Sequence, residues 1–307
     1  MQETKGHVNK QTLGFIALIA GVALFSTVEV ITKIIGTRVS PWTLVFLRFF
    51  ITGLVLPALV GRELPRRIAA LTRRDYGVLA LNGFISITLA LSLFHLALIV
   101  FEKASSCAVV FSANPIFVML LARFINNEPF TRAKAIAVFC GAVGVAFFAG
   151  ESGAFTMQAV KALTLITLAA IFFALGICIS RRVIHRYGVF ILMGFSSLFG
   201  SLLVLPLAAW SMMQPGAVAG LIDAWLPVLA LVVPGTTVAY GLYYYGLSHC
   251  TAFQTSMPFF LKPVLASLLA VVWLGEKINL FMVIGSLCIL TGLVITVVFS
   301  QKPSSSD

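Results

Sequence analysis

Four ionisable residues stand inside long apolar stretches: Glu29, Lys33, Arg48 and Lys262. A charge held in hydrocarbon costs a few kcal/mol or more, so such residues normally serve a site or a partner. Lys262 is the sharpest of them. Pro263 follows it and Pro258 lies four residues before it. Pro263 has no backbone N–H, so the helix is expected to kink and leave the Phe259 carbonyl without its helical donor. An ammonium at such a kink is a seat for a carboxylate or another anion; the alternative is a lysine paired with Glu29 for structure alone. Glu29 and Lys33 are spaced i, i+4 and share a helix face. Read structurally, they neutralise each other while Lys33 snorkels to the outer surface. Read functionally, Glu29 takes a substrate amino group or a proton, and Lys262 holds the carboxylate opposite. That pair suits a zwitterion. Arg48 is read as structural.

Uncharged candidates fill in the site. Asn114 precedes Pro115 just as Lys262 precedes Pro263, and its amide can bond a substrate or a carbonyl freed by the kink. His95 has a side chain able to relay protons, or to serve as a buried hydrogen-bonded strut. Tyr240 and Tyr244, also i, i+4, can line a cavity. Glu128 and Glu276 stand at span ends, where capping and loop contacts explain them.

The elements that must position these residues are membrane spans. Charged residues make up 10% of the chain and apolar residues 60%, with a mean hydropathy of +1.06; soluble folds carry about a quarter charged residues. A spanning helix needs about 20 mostly apolar residues, and ten such runs occur, at roughly 12–35, 41–60, 75–98, 104–125, 131–150, 159–180, 189–210, 225–247, 253–273 and 279–299. The first run, apolar from Leu13 to Val28, is longer than a usual signal-peptide core and is expected to be retained. The net charge of +11 sits between the runs. Fourteen basic residues, among them Arg62, Arg66, Arg67, Arg73, Arg74, Arg181, Arg182 and Arg186, fall on one side, and only Arg38, Lys103, Lys161 and Lys277 on the other. That bias places both termini, residues 1–11 and 300–307, in the cytoplasm. No basic and aromatic stripe lies outside the runs, so nucleic acid is not an expected partner. The five cysteines form no C-x-x-C pair, and neither a disulfide framework nor a metal site is indicated.

The chain also repeats itself. At an offset of 148 residues, Phe111 falls on Phe259, Pro115 on Pro263, Glu128 on Glu276 and Cys140 on Cys288. Ten of the 41 positions from 104 to 144 are identical at that offset. The chain thus reads as two five-helix repeats, 12–150 and 159–299, and an odd helix number inverts the second copy in the membrane. Inverted pairs recur in secondary transporters that work by alternating access. The fold class expected is all-α integral membrane, ten helices in two inverted repeats.

These residues resemble the EamA type of the drug/metabolite transporter superfamily. Lys33, Ser40-Pro41 and Arg48 within Leu-Arg-Phe resemble its first two helices, and Leu274-Gly275-Glu276 resembles its Leu-Gly-Glu signature. The resemblance implies a central cavity lined by the first, third, fourth, sixth, eighth and ninth helices. It also implies transport of amino acids or other small metabolites, driven by protons or by exchange. Three features depart from the pattern: Asn126-Asn127-Glu128 in the first copy, Glu29 where the family usually has an uncharged residue, and Lys262. They bear on substrate rather than on fold.

The expected function is a secondary transporter, an amino-acid exporter first and an organic-anion carrier or exchanger using Lys262 second. It would act in a bacterial inner membrane, as monomer or homodimer, with no cofactor. No phosphate-binding G-x-x-x-x-G-K-[ST] loop and no zinc-binding H-E-x-x-H occurs. A membrane-embedded enzyme, the competing class, would have to do without an intramembrane aspartate, since Asp75, Asp223 and Asp307 all fall at span edges or outside.

Overall fold

A computed structural model describes residues 10–100, 107, 111–149 and 157–274, together with 280, 283–285, 287, 288, 291, 292, 294 and 295. The expected N-terminal segment up to residue 9, the start of the fourth span, Glu276, most of the tenth span and the polar tail lie outside the described residues. Regular structure among the described residues is entirely helical. Besides two short connecting helices, Leu64–Ala69 and Ala217–Asp223, the α-helices are α1 (Lys10–Phe25), α2 (Thr27–Ile35), α3 (Pro41–Ala58), α4 (Arg73–Gly83), α5 (Ala90–Val100), α6 (Asn114–Ile125), α7 (Arg132–Ala149), α8 (Met157–Tyr187), α9 (Val189–Met212), α10 (Trp225–Val232), α11 (Ala239–His249), α12 (Ala252–Ser256) and α13 (Lys262–Leu274). Among the described residues, six continuous stretches are long and apolar enough to cross a bilayer: Lys10–Arg38, Pro41–Ala58, Arg73–Val100, Val160–Tyr187, Val189–Met212 and Trp225–His249. Asn114–Ile125 is apolar but shorter.

Two of these stretches contain a π-helical turn. Phe84–Leu89 joins α4 to α5, and Val233–Val238 joins α10 to α11. The two turns lie one residue from the 148-residue offset. An i→i+5 turn bulges the backbone and frees polar groups for side chains; Thr236 and Thr237 fill this need by donating to the Leu231 and Val232 carbonyls.

Packing pairs the two halves of the chain. α1 lies along α11, and α8 lies along α5. α6 packs on α8, as α13 packs on α2. Exchanging the first half for the second maps each of these pairings onto the other. The α3–α9 pairing maps onto itself, and these two helices run antiparallel: Thr43 Oγ1 meets Ser211 Oγ at 2.8 Å, while Gly53 faces Leu198 and Pro57 faces Gly194. Lipid tails are as apolar as leucine, so helices in a bilayer associate through close backbone approach rather than hydrophobic burial. Gly53 shows how close: a Cβ there would stand 2.7 Å from the Leu198 nitrogen. Large apolar side chains such as Phe139, Leu203, Trp210 and Leu229 point outward, where a soluble protein would place charge.

Gly53→Ala is expected to cost about 1–3 kcal/mol by overpacking. Gly77→Ala, on an exposed helix face with nothing within 4 Å of the added carbon, should be neutral or stabilising by up to about 1 kcal/mol through helix propensity. Thermal unfolding of the two variants in detergent checks the pair; equal melting temperatures would contradict the close α3–α9 contact.

Candidate functional site

The site begins with two broken helices. Between α1 and α2 the helix is interrupted at Ser26, whose hydroxyl donates to the Val22 carbonyl at 2.9 Å; Thr27 does the same to Leu24 at 2.7 Å. Such back-bonding competes with the helical ladder and bends it. Glu29 follows one turn later and is fully buried. In the ninth predicted span, α12 passes into a 3₁₀ stretch, Met257–Leu261, and α13 restarts at Lys262 with Pro263 in its first turn. Proline is at home there because the first-turn N–H groups have no intrahelical acceptor. The Phe259 carbonyl is not released as expected: it accepts from the Lys262 N–H, a 3₁₀ bond that tightens the turn. α6 likewise restarts at Asn114 with Pro115 in its first turn.

These breaks bring Lys262 and Glu29 together. The Lys262 ammonium forms an ion pair with Glu29 Oε1, and both side chains are almost without solvent access, at 4% and 0%. Glu29 therefore spends its charge on Lys262, and the ion pair with Lys33 read from the i, i+4 spacing does not form. Glu29 Oε2 has no hydrogen-bond donor among the described residues. Two further contacts hold the ammonium: it lies 5.1 Å from the Phe94 ring centroid and 5.0 Å from that of Phe111. Each cation–π contact is worth about 0.5–2 kcal/mol when desolvated. Phe111 in turn packs on Phe173 and Phe259, at 5.4 and 6.0 Å between centroids. The result is an aromatic cage around one cation.

The cage encloses a cavity of about 20 Å³, lined by Lys262, Arg48, Tyr240 and the cage phenylalanines. That is room for one or two waters. An organic substrate must open it. Arg48, 2% exposed, is as buried as Lys262. Its Nε donates to Thr236 Oγ1 at 2.7 Å, and its Nη1 meets His95 Nε2 at 2.5 Å. Since arginine only donates, Nε2 must accept and His95 carries its hydrogen on Nδ1, which has no partner among the described residues. Tyr240 fixes its ring edge-on against Phe25 at 4.7 Å and Phe49 at 5.4 Å.

Of the expected site residues Lys262 and Tyr240 line this cavity, Glu29 and His95 contact its lining residues Lys262 and Arg48, and two lie elsewhere. Tyr244 lines a neighbouring cavity, which shares Phe173 and Tyr240 with the first. Its hydroxyl meets Ser180 Oγ at 3.0 Å, and Ser180 donates to Asn82 Oδ1, whose amide donates to Ser196. Asn114 does not line the cavity; its Nδ2 donates to the Ala170 carbonyl at 2.9 Å and ties α6 to α8. Glu128 acts as a cap, accepting from the Ala252 N–H at 2.6 Å while Lys134 approaches at 3.2 Å. It thereby fastens the loop after α6 to the start of α12.

Two features of the cavity go beyond the sequence reading. Arg48, read as structural, bonds Thr236 and His95 and also lines the cavity beside Lys262, and a charge inside an apolar run marks both residues. The cage is the second, yet Phe111 and Phe259 are identical residues at the 148-residue offset.

A buried ion pair and a caged cavity between the paired halves of a multi-pass helical membrane protein are the furniture of a transporter. The sequence matches the EamA-like transporter family over residues 12–150 and again over 160–298, and the chain belongs to that family. It is 26% identical to an uncharacterized transporter of Clostridium kluyveri, over 96% of this chain and 95% of the relative. It is 25% identical to the uncharacterized transporter YetK of Bacillus subtilis, over 97% and 91%. A solved crystal structure shares its fold at a TM-score of 0.75 and 20% identity, covering 95% of this chain and 99% of the other.

Lys262→Met leaves Glu29 buried without its counter-charge and should destabilise the protein by about 3–5 kcal/mol. Adding Glu29→Gln should restore most of the loss. Unfolding in detergent of both variants reads this, and a double variant as unstable as the single would show that the two charges do not depend on each other.

Proposed function

We propose that the chain is a secondary active transporter that exports a small polar metabolite bearing a carboxylate, in the first place an amino acid. In this reading ten helices form two inverted five-helix repeats, 12–150 and 159–299. They lie in a bacterial inner membrane with both termini cytoplasmic. The antiparallel course of α3 and α9 supports the inversion, since these are equivalent helices of the two repeats. Rocking of one half against the other would expose the central cavity to each side in turn.

The observation that carries the reading is the buried ion pair that Glu29 makes with Lys262, whose side chain lines the cavity. Without substrate, each charge neutralises the other. A zwitterion can enter only by replacing both contacts: its carboxylate takes Lys262, and its ammonium takes Glu29. The Glu29 oxygen that lacks a donor gives the ammonium a first point of attachment. An organic anion without an amine needs Lys262 alone, with a proton or a counter-substrate answering Glu29. In either case the closed, caged state is favoured when the site is empty, so an unoccupied carrier does not leak ions.

The test is counterflow of a labelled amino-acid mixture into proteoliposomes, comparing wild type with the charge-free Glu29→Gln/Lys262→Met double variant. Each lost charged hydrogen bond is worth about 1.5–3 kcal/mol, so flux at low substrate should fall about 100-fold or more. Undiminished flux would take the pair out of the mechanism, and no flux by wild type above empty liposomes would overturn the amino-acid reading.

A further inference from the structure

Two cations, Lys262 and Arg48, line the cavity, and among the described residues only Lys262 forms an ion pair with a carboxylate. Glu29 and Lys262 cancel; Arg48 remains. Among the described residues no carboxylate lies within ion-pair distance of its guanidinium, whose bonds go to the neutral acceptors Thr236 and His95. A cation kept in a low-dielectric interior without a counter-charge is costly. Fastening the π-helical turn does not require it. One turn along α3, Thr52 bonds Thr237 Oγ1 at 2.8 Å and holds the same turn without charge. Arginine has five N–H donors in a planar fork that fits a carboxylate with two parallel bonds. Nε and Nη1 are engaged here, which leaves further N–H donors on a residue that lines the cavity.

Resting on the transporter reading above, we infer that Arg48 is a second substrate-binding cation and that the transported molecule carries two acid groups, one for Lys262 and one for Arg48. Charge balance gives the two forms this substrate takes. An acidic amino acid, net −1, neutralises the site with its ammonium on an ionised Glu29. A dicarboxylate, net −2, neutralises it when Glu29 holds a proton. A neutral zwitterion leaves one positive charge buried when Glu29 is ionised and two when it is protonated. His95 and Thr236 are positioning residues: their two hydrogen bonds fix the guanidinium in place.

The experiment is ligand binding to the purified full chain in detergent, by calorimetry, with glutamate against glutamine and succinate against its monoamide. Each pair exchanges one carboxylate for an isosteric amide. The acid of at least one pair should bind wild type about tenfold or more tightly than its amide, with Arg48→Gln bringing that ratio close to one and Arg48→Lys keeping part of it. Preference for glutamate or for succinate tells the amine-bearing form from the proton-coupled one. Glutamine binding as tightly as glutamate, in a manner abolished by Lys262→Met, with succinate no tighter than its monoamide, would overturn the diacid inference and leave the amino-acid reading standing. An acid preference that survives Arg48→Gln would remove Arg48. No binding of any of the four to wild type would remove both readings. Should Arg48→Gln fail to fold, the acid-to-amide ratio on wild type decides alone.

Discussion

A carboxylate and an ammonium denied water can persist only in contact, and this constraint shapes the centre of the protein. Coulombic attraction grows as the surroundings become less polar, but so does the cost of stripping both groups of solvent. The structure answers with geometry. Ser26 breaks the first span one turn before Glu29, and the 3₁₀ stretch Met257–Leu261 breaks the ninth just before Lys262. Straight helices would carry the two side chains on fixed stripes; the breaks let each turn toward the other. The phenylalanine cage then surrounds the ammonium with ring faces, which favour a cation yet offer no hydrogen bond that would hold it permanently.

Around this centre, polar contacts fall into two kinds. Some fasten helices to each other and involve no cavity: Thr43 to Ser211, Asn114 to Ala170, and Glu128 to the start of α12. Others border space. The chain from Tyr244 through Ser180 and Asn82 to Ser196 runs beside the second cavity, which meets the first at Phe173 and Tyr240. A cavity lined by two cations and a neutral polar one thus have two rings in common.

Where expectations from sequence failed, they failed for identifiable reasons. The Phe259 carbonyl looked orphaned because Pro263 cannot donate, but a helix that tightens to 3₁₀ shifts the acceptor to the residue before. Glu29 and Lys33 looked like a pair because i, i+4 neighbours share a face; a partner on another helix, Lys262, claims the carboxylate instead. Asn114 occupies the repeat position of Lys262, yet a short amide reaches only the adjacent backbone where a long lysine reaches across the interior.

The amino-acid order by itself determined that the chain lives in a bilayer, that it is duplicated at 148 residues, and that Glu29 and Lys262 are exceptional. These are properties of composition, period and the cost of charge in hydrocarbon, all of which act locally along the chain. Only the tertiary structure decided which charges meet, that Arg48 shares the cavity of Lys262, and that Phe94 and Phe111 of the first half close around an ammonium from the second. Those facts depend on side chains far apart in sequence being brought to one point by helix breaks and close crossings, and no local pattern encodes the resulting distances.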